Sequence, residues 1–454
     1  MTEREDFYEQ RDRRTREYVN DGTQRGWFEQ PVSLYVGNDA AESPRGQLAV
    51  LALVNTLARV HRHLYVQCPN SPLLVTRALL VEPPSEHTSL AEAIVAQATA
   101  IDPFLEVRLG PPLRVDAAIA VGEDIGDTVP WHVGFAGSIV TLAASPVPVD
   151  RQDGFSLGAC FAACLASATL FKQVMAMPVG PLRVSAWSLE DSKDAASGPD
   201  TLGPVDVGSV LMAGAGAVGS SAAYWLRQSG IQGLWRVVDK DVTVLHNTNR
   251  SLGMTAADAG WPGQPSAPKA TVAANLLGTE GLVCWFDELH HDGPRPDLIL
   301  PLANGRGVRT EVSQFGEPLL LHATTSRTWE AQLHRHIAGR DDCIVCRMPK
   351  SPSKATFECS TVPIGSGGRS SDAALPFLSG TAGLLLVSGL YRLMLGELQQ
   401  GDANLWRVMF KSVRGLTRAS RCRCQDNCPG TVPASARRKI NLSRRWAHLD
   451  PAMG

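Results

Sequence analysis

The run GSVLMAGAGAVGSSAAYWLRQSGIQGLWRVVD, starting at Gly208, restricts the fold more than any other stretch of the chain. An apolar strand, Val210 to Ala213, leads into Gly214, Gly216 and Gly219. A helix begins near Val218, a second apolar strand follows, and Asp239 ends that strand twenty residues after Gly219. Glycines at these places let the backbone approach a phosphate, and the helix N-terminus presents free N–H groups and a positive dipole end. A carboxylate at the end of the next strand can accept ribose hydroxyls. The pattern predicts a strand–turn–helix–strand unit of a doubly wound α/β fold, and it suits NAD as well as ATP.

A weaker version of the same pattern occurs earlier. PVSLYVGNDAAESPRGQLAVLALVNTLARVHRHLYVQCP reads as strand, turn, helix, strand. Each half also has a later apolar strand, VDAAIAVG and PDLILPLANG, and an uncharged small-residue helix, GACFAACLASATLFK and SGTAGLLLVSGLYRL. A repeat of this kind predicts two tandem Rossmann-like units, each with a mainly parallel sheet, packed as a pseudo-dimer. In the first copy Asp39 and Glu42 stand where a phosphate needs bare backbone, so this half reads as degenerate and only the second as nucleotide-binding. The expected division is 1–187, a polar linker 188–206 (SLEDSKDAASGPDTLGPVD), and 207–454. Within the last unit, Met348 to Asp372 reads as a long mobile loop rich in Ser, Gly and Pro.

At 454 residues the chain has room for two such units. With 43 basic and 45 acidic residues the formal charge is −2, which offers no overall field for nucleic acid or an anionic membrane. The N-terminus, MTEREDFYEQRDRRTREYV, is charged and lacks the apolar core of a secretory signal, so a cytoplasmic location is expected. Two uncharged stretches, Gly154 to Leu170 and Ala373 to Tyr391, approach membrane-span length but contain Gly, Ser and Thr and are expected to be buried helices.

The residues beyond Asp239 separate the two nucleotides. DKDVTVLHNTNRS supplies Asp241, then Asn247 and Arg250, eight and eleven residues after Asp239, and Lys269 follows. NAD needs no such set, whereas chemistry on ATP phosphates needs cationic and amide donors against charge developing on pyrophosphate. Glycine turn, Asp-x-Asp, Asn, Arg and Lys in this spacing resemble the ThiF/MoeB-like adenylating superfamily that includes the ubiquitin-activating enzymes. The resemblance implies that Asp239 holds the ribose while Asn247, Arg250 and Lys269 contact ATP phosphates. It also implies a role for an N-terminal arginine that reaches the ATP of the opposite half. Arg13-Arg14-Thr15-Arg16-Glu17 occupies that place, with Arg14 and Glu17 departing from the family's Tyr and Gln, and Arg16 is the candidate. The family's magnesium-binding Asp is replaced by Asn304, an oxygen ligand without charge, which weakens the expectation of magnesium.

Ten cysteines in a reducing compartment point to metal or catalysis before disulfides. Cys343-Ile-Val-Cys346 and the cluster Cys422, Cys424 and Cys428 are candidates for a structural zinc site, with the two ligands from the second cluster left open. Cys359, in the Ser/Gly/Pro-rich loop, matches the loop cysteine of the family's sulfur-carrier activators and is the candidate thioester nucleophile. Cys68, Cys160, Cys164 and Cys284 lie in apolar patterns and read as core residues. His322, His334 and His336 show no ligand spacing and read as structural or surface residues.

The resemblance implies ATP-dependent adenylation of the C-terminal glycine of a ubiquitin-like protein. Thioester formation on Cys359 and transfer to a conjugating-enzyme-like partner would follow, as in bacterial ubiquitin-like operons that act in phage defence. It leaves open a pseudo-dimeric monomer or a homodimer. Sulfur-carrier activation, an NAD-binding oxidoreductase and a non-catalytic scaffold remain as alternatives.

Overall fold

The computed structural model describes residues 2–12, 29–111, 117–123, 129–190, 198–289, 295–303, 306–314, 317–347, 361–364, 371–399, 401–412, 416–424, 428 and 445–446. The first sheet is built from β1 (Val32–Val36), β2 (His63–Gln67), β3 (Glu106–Leu109), β4 (Ala117–Val121), β5 (His132–Ala136), β6 (Ile139–Ala143) and β7 (Leu182–Ser185). Its order is β3-β2-β1-β4-β5-β6-β7. Strands β3 through β5 pair in parallel, and β6 and β7 extend the sheet antiparallel.

The second sheet repeats the plan. It contains β8 (Val205–Ala213), β9 (Ile231–Val238), β10 (Gly281–Leu282), β11 (Leu298–Pro301), β12 (Leu319–Ser326) and β13 (Glu330–Ile337). A ribbon of β14 (Thr361–Ile364) and β15 (Ser371–Ala374) stands apart, and β16 (Leu405–Met409) and β17 (Thr417–Ser420) complete the sheet. The order is β10-β9-β8-β11-β12-β13-β16-β17, parallel up to β12 and antiparallel beyond. Both sheets therefore match the expected α/β class, each with an antiparallel wing that the strand patterns alone did not reveal. In both, the order reverses beside the first strand of the sheet, where ligands of open α/β sheets bind.

Helices α1 (Glu3–Arg11), α2 (Asn38–Ala41), α3 (Pro44–Leu57), α4 (Leu90–Ile101) and α5 (Leu157–Val174) belong to the first half. The second half has α6 (Ala217–Gln228), α7 (Leu245–Thr248), α8 (Lys269–Leu277), α9 (Arg306–Gln314) and α10 (Pro376–Met394). Helices α3, α5, α6 and α10 pack on one another between the sheets in one continuous apolar core. Small residues set the approach: a Cβ on Gly383 of α10 would lie 2.6 Å from the Ala222 nitrogen of α6. The two membrane-length helices, α5 and α10, are 94% and 89% buried inside the protein, as core helices of this layer.

Two stretches differ from their sequence reading. The last residues of the linker, Val205 and Asp206, already belong to β8, because the strand starts ahead of its apolar centre. Residues 198–200 are pinned to the first sheet: Gly198 N–H donates to Ser138 Oγ at 2.9 Å, and Arg45 Nη2 donates to the Asp200 carbonyl at 3.1 Å. The 348–372 loop contains β14 and the start of β15, so part of it is a hairpin ribbon. Its remaining residues lie outside the described set.

Candidate functional site

A cavity of about 510 Å³ opens at the turn between β8 and α6, within the size range of small-molecule sites. The three glycines do different work there. Gly214 has φ +107°, and a Cβ on it would sit 2.5 Å from the Ala303 nitrogen. Gly219 lets the helix close on the turn, since a Cβ would meet the Gly214 oxygen at 2.1 Å. Gly216, the N-cap of α6, faces open space and lines the cavity. Its bare backbone and the unpaired N–H groups of the first helical turn form an anion-accepting rim.

Asp239 stands at the end of β9 with both carboxylate oxygens oriented by the backbone. Oδ2 accepts from Ala215 N–H at 2.7 Å and Oδ1 from Asp241 N–H at 2.9 Å. Burial raises its pKa above the usual carboxylate range, against the lowering effect of those amides and Lys269. Lys269, the first residue of α8, holds its Nζ 3.0 Å from Asp241 Oδ2 at the cavity edge. Asn247 gives its side-chain oxygen to Val244 N–H at 3.1 Å, which leaves its Nδ2 amide as the donor for a ligand. Arg250 also lines the cavity, with Nη1 donating to Asn249 Oδ1 at 3.3 Å. The other wall is apolar, formed by Val238, Phe286, Leu302 and Val308, and Trp285 carries Lys240 3.1 Å above its ring. The structure thus gathers Gly214, Gly216, Asp239, Asp241, Asn247, Arg250 and Lys269 around one cavity, while Gly219 supports the turn from behind.

Residues 247–253 are held from several directions. Ser220 and Ser221 of α6 accept from Gly253 N–H at 3.1 Å and Leu252 N–H at 3.4 Å, and Ser379 of α10 donates to the Arg250 carbonyl. The first half completes the clamp. Asn55 Nδ2 donates to the Leu252 carbonyl at 3.1 Å, Arg59 donates to the Thr248 and Leu252 carbonyls, and Asn249 Nδ2 donates to the Arg11 carbonyl at 3.1 Å. None of the supports from the first half was visible in sequence, since they join residues nearly two hundred positions apart or more.

The corresponding turn of the first half is filled by its own side chain. Asp39 is 2% exposed; Oδ1 accepts from the Ala40 and Glu123 amides at 2.9 and 2.8 Å, and Oδ2 from Val149 N–H at 2.9 Å. A carboxylate therefore occupies the anion position at this turn. Glu42, paired with it in the sequence reading, faces solvent instead because it lies past the end of α2.

Cys343, Cys346, Cys424 and Cys428 converge, their sulfurs all within 4.8 Å of one another. Cys428 Sγ lies 3.2 Å from Cys343 Sγ and 3.0 Å from Cys346 Sγ, and Cys343 N–H points at Cys424 Sγ at 3.1 Å. Four thiols in this spacing have the donor set of a tetrahedral zinc site. Cys422 is outside the group; its backbone is bound to Asn404 Oδ1 at 2.8 Å, and its sulfur is beside Arg347. Burial and the neighbouring thiols push the Cys424 pKa up to about 11. Cys160 and Cys164 are core residues of α5 and Cys68 is half-buried, but Cys284 lines the cavity besides packing on its floor. For the histidines the surface alternative falls away: His322, His334 and His336 are buried together on β12 and β13. Arg16, Cys359 and Asn304 lie outside the described residues.

Residues 31–189 match the family model described as the BilD N-terminal domain, and residues 198–279 match that of the ThiF family. No curated protein matches the chain. Among solved structures, E. coli MccB with AMPCPP and selenomethionine-labelled MccA is 13% identical, with 49% of this chain and 66% of that one covered at a TM-score of 0.37. MccB with ATP gives 13%, 49%, 66% and 0.36, and MccB alone 13%, 50%, 65% and 0.36. The chain thus spans slightly less than two thirds of those MccB chains. The second half, with its glycine turn and Asp-x-Asp strand end, resembles the ThiF/MoeB superfamily, and the ThiF match covers those residues.

Proposed function

We propose that this protein is an ATP-dependent adenylating enzyme that activates the C-terminal glycine of a ubiquitin-like protein. The observation that carries the reading is the convergence of Asp239, Asn247, Arg250 and Lys269 on one cavity at the N-terminus of α6. Asp239, oriented by two amides, would take the ribose hydroxyls, and the apolar wall would take the adenine. Asn247, Arg250 and Lys269 would face the phosphates, where donors matter most as charge develops. The substrate carboxylate attacks the α-phosphorus, the bond to the β-phosphate breaks, and pyrophosphate leaves with the charge that Arg250 and Lys269 offset. The Cys359 thiolate then attacks the acyl carbon, expelling AMP and forming a thioester for transfer to a conjugating-enzyme-like partner.

In this reading the two halves form a pseudo-dimer, the first lending support and an arginine to the second. Helix α1 supports that role: Arg11 at its end is bound to Asn249, the neighbour of Arg250, and Arg16 follows five residues later. Asn304 follows the cavity-lining residues Leu302 and Ala303 in sequence, and by the family resemblance its side-chain oxygen would be offered to a magnesium ion arriving with ATP. That ion would supply charge neutralisation at the phosphates. Zinc held by Cys343, Cys346, Cys424 and Cys428 would tie the end of the second sheet to the C-terminal segment. We place the reaction in the cytosol, within a bacterial conjugation pathway of the kind used in phage defence.

The test is ATP–pyrophosphate exchange with labelled pyrophosphate and candidate small proteins ending in glycine, followed by a search for a thiol-sensitive adduct. Exchange that persists in Cys359→Ala while the adduct disappears supports both steps. Absence of exchange together with saturable NAD binding would replace the reading with the oxidoreductase one.

A further inference from the structure

Strands β12 and β13 pair antiparallel with His322 opposite His334 and Leu320 opposite His336. The register places all three imidazoles on the same face of the sheet, beside Leu320 and the small apolar cluster that includes Ile299, Val312 and Ile344. Each histidine is 5% exposed or less, and their ring centroids lie 5.0, 6.3 and 6.0 Å apart. One ring nitrogen from each lies within 4.8 Å of those of the other two. Three imidazoles in an apolar interior are an unusual set unless something lies between them.

The hydrogen bonds around the cluster determine which nitrogens face inward. His336 Nδ1 is 2.7 Å from the Asp342 carbonyl, which can only accept, so Nδ1 carries the proton and Nε2 a lone pair. His334 Nε2 is 3.1 Å from Gln332 Oε1. The Gln332 amide is oriented by its own Nε2, which donates to Glu330 Oε2 at 2.6 Å; its oxygen therefore takes the His334 Nε2 proton and leaves Nδ1 with a lone pair. Among the described residues, His336 Nε2, His334 Nδ1 and both nitrogens of His322 have no hydrogen-bond partner. Buried acceptors turned toward one another repel unless a cation or a donor stands between them. Metal-binding histidines show this arrangement: the outer nitrogen is held by a carbonyl or amide oxygen and the inner one is left to the ion.

Burial first, then Arg309 for His322 and the neighbouring His336 and Arg347 for His334, hold both well below the ordinary imidazole range, so both present the neutral form a metal needs. His336 is lowered by burial and Arg347 and raised by Asp342 and Asp341. Arg347 pairs with Asp342 at 2.7 Å, and Arg309 Nε donates to the Ala303 carbonyl at 3.0 Å. Arginines around a dication favour an anion in its remaining position.

We propose that His322, His334 and His336 form a second metal site, distinct from the cysteine cluster, that binds a zinc-type divalent ion through three imidazoles with an anionic fourth ligand. Tetrahedral zinc with bonds of about 2.0–2.1 Å places its nitrogens roughly 3.3 Å apart, so modest rotation of the rings closes the site. The site adjoins both other centres. Thr324, on the same strand face as His322, lines the nucleotide cavity. Asp342, whose carbonyl holds His336, directly precedes Cys343. It is independent of the adenylation reading and would stand if that reading failed.

The full chain, purified without a histidine tag and dialysed against metal-free buffer, should retain one equivalent of zinc beyond that held by the cysteines. In Cys343→Ser/Cys346→Ser that equivalent should remain, and cobalt exchanged into it should show ligand-field bands without thiolate charge transfer. His334→Gln/His336→Gln should lose it while the thiolate spectrum of the other site persists. Zinc content unchanged in the histidine variant would overturn the proposal, as would a cysteine variant that is folded by circular dichroism but metal-free. If the histidine variant fails to fold, X-ray absorption of the cysteine variant decides: a nitrogen and oxygen shell supports the site, and failure to take up zinc or cobalt rejects it.

Discussion

Arg59 Nη2, from the first half of the chain, donates to the Leu252 carbonyl of the second half at 2.9 Å, and Arg59 itself is 1% exposed. Its Nε donates to Asn55 Oδ1 at 2.9 Å, so Asn55 of α3 holds the guanidinium against the segment that carries Asn247 and Arg250. Arg59→Ala would leave two carbonyls and the Asn55 oxygen without this donor and open a cavity beside them. The expected loss is about 3 kcal/mol, measured by urea unfolding. ATP affinity should fall with it, because loosening residues 247–252 would misplace Asn247 and Arg250, the groups proposed to face the phosphates. Unchanged ATP affinity in folded Arg59→Ala would mean that the clamp serves stability only.

Arg250→Ala should lower pyrophosphate exchange roughly a hundredfold, the usual effect of deleting one donor aimed at developing charge. Asp239→Asn should act differently, raising KM for ATP more than it lowers kcat, since the proposed ribose contact would be made equally in ground and transition states. The pair of kinetic profiles distinguishes a phosphate role from a ribose role.

The glycine turn, its helix and the aspartate ending the next strand were legible in the sequence because they are local: each depends on spacing within one strand–helix–strand unit. The repeat was legible for the same reason, and it anticipated both sheets. What escaped was long-range. The acidity after Gly37 was visible as GNDAAE, but only the fold shows that Asp39 fills the turn while Glu42 points away. The spacing Cys422, Cys424, Cys428 left the candidate pair open, and the structure brings the sulfurs of Cys424 and Cys428 beside those of Cys343 and Cys346. His322, twelve residues before His334, has no recognisable ligand spacing in sequence; the antiparallel register of β12 and β13 creates the proximity.

Asp39→Ala should destabilise the first half by about 3 kcal/mol, because three amides, two of them buried, lose a charged acceptor at once. Exchange activity of the folded fraction should be unchanged, since Asp39 touches none of the cavity-lining residues Asp239, Asn247, Arg250 and Lys269. Nucleotide binding gained at this turn in the variant, read by a second equivalent of bound ATP, would show that the carboxylate alone keeps the site closed.

Removing metal with a strong chelator should lower Tm, and Cys424→Ser should reproduce much of that loss. Cys422→Ser should leave the zinc content of the cysteine site unchanged, because its sulfur lies outside the group of four. Equal zinc loss from the two variants would mean that the thiols exchange places when metal binds.

Acid should weaken the first half through His61. The residue is 1% exposed, its Nδ1 has no hydrogen-bond partner among the described residues, and burial lowers its pKa to about 3. The native state therefore keeps His61 neutral under conditions where the unfolded chain, with an ordinary pKa near 6.5, takes up a proton. Since the unfolded state binds more protons, stability rises with pH across this window; the contribution is complete above about pH 6.5 and is lost progressively toward pH 3. The slope from this one residue approaches about 1.4 kcal/mol per pH unit. Carboxylates titrate in the same range, so the measurement is the difference between wild type and His61→Leu in urea unfolding at several pH values. The wild type should lose stability more steeply on acidification, and parallel curves would show that His61 is reached by solvent and protonated in the native state.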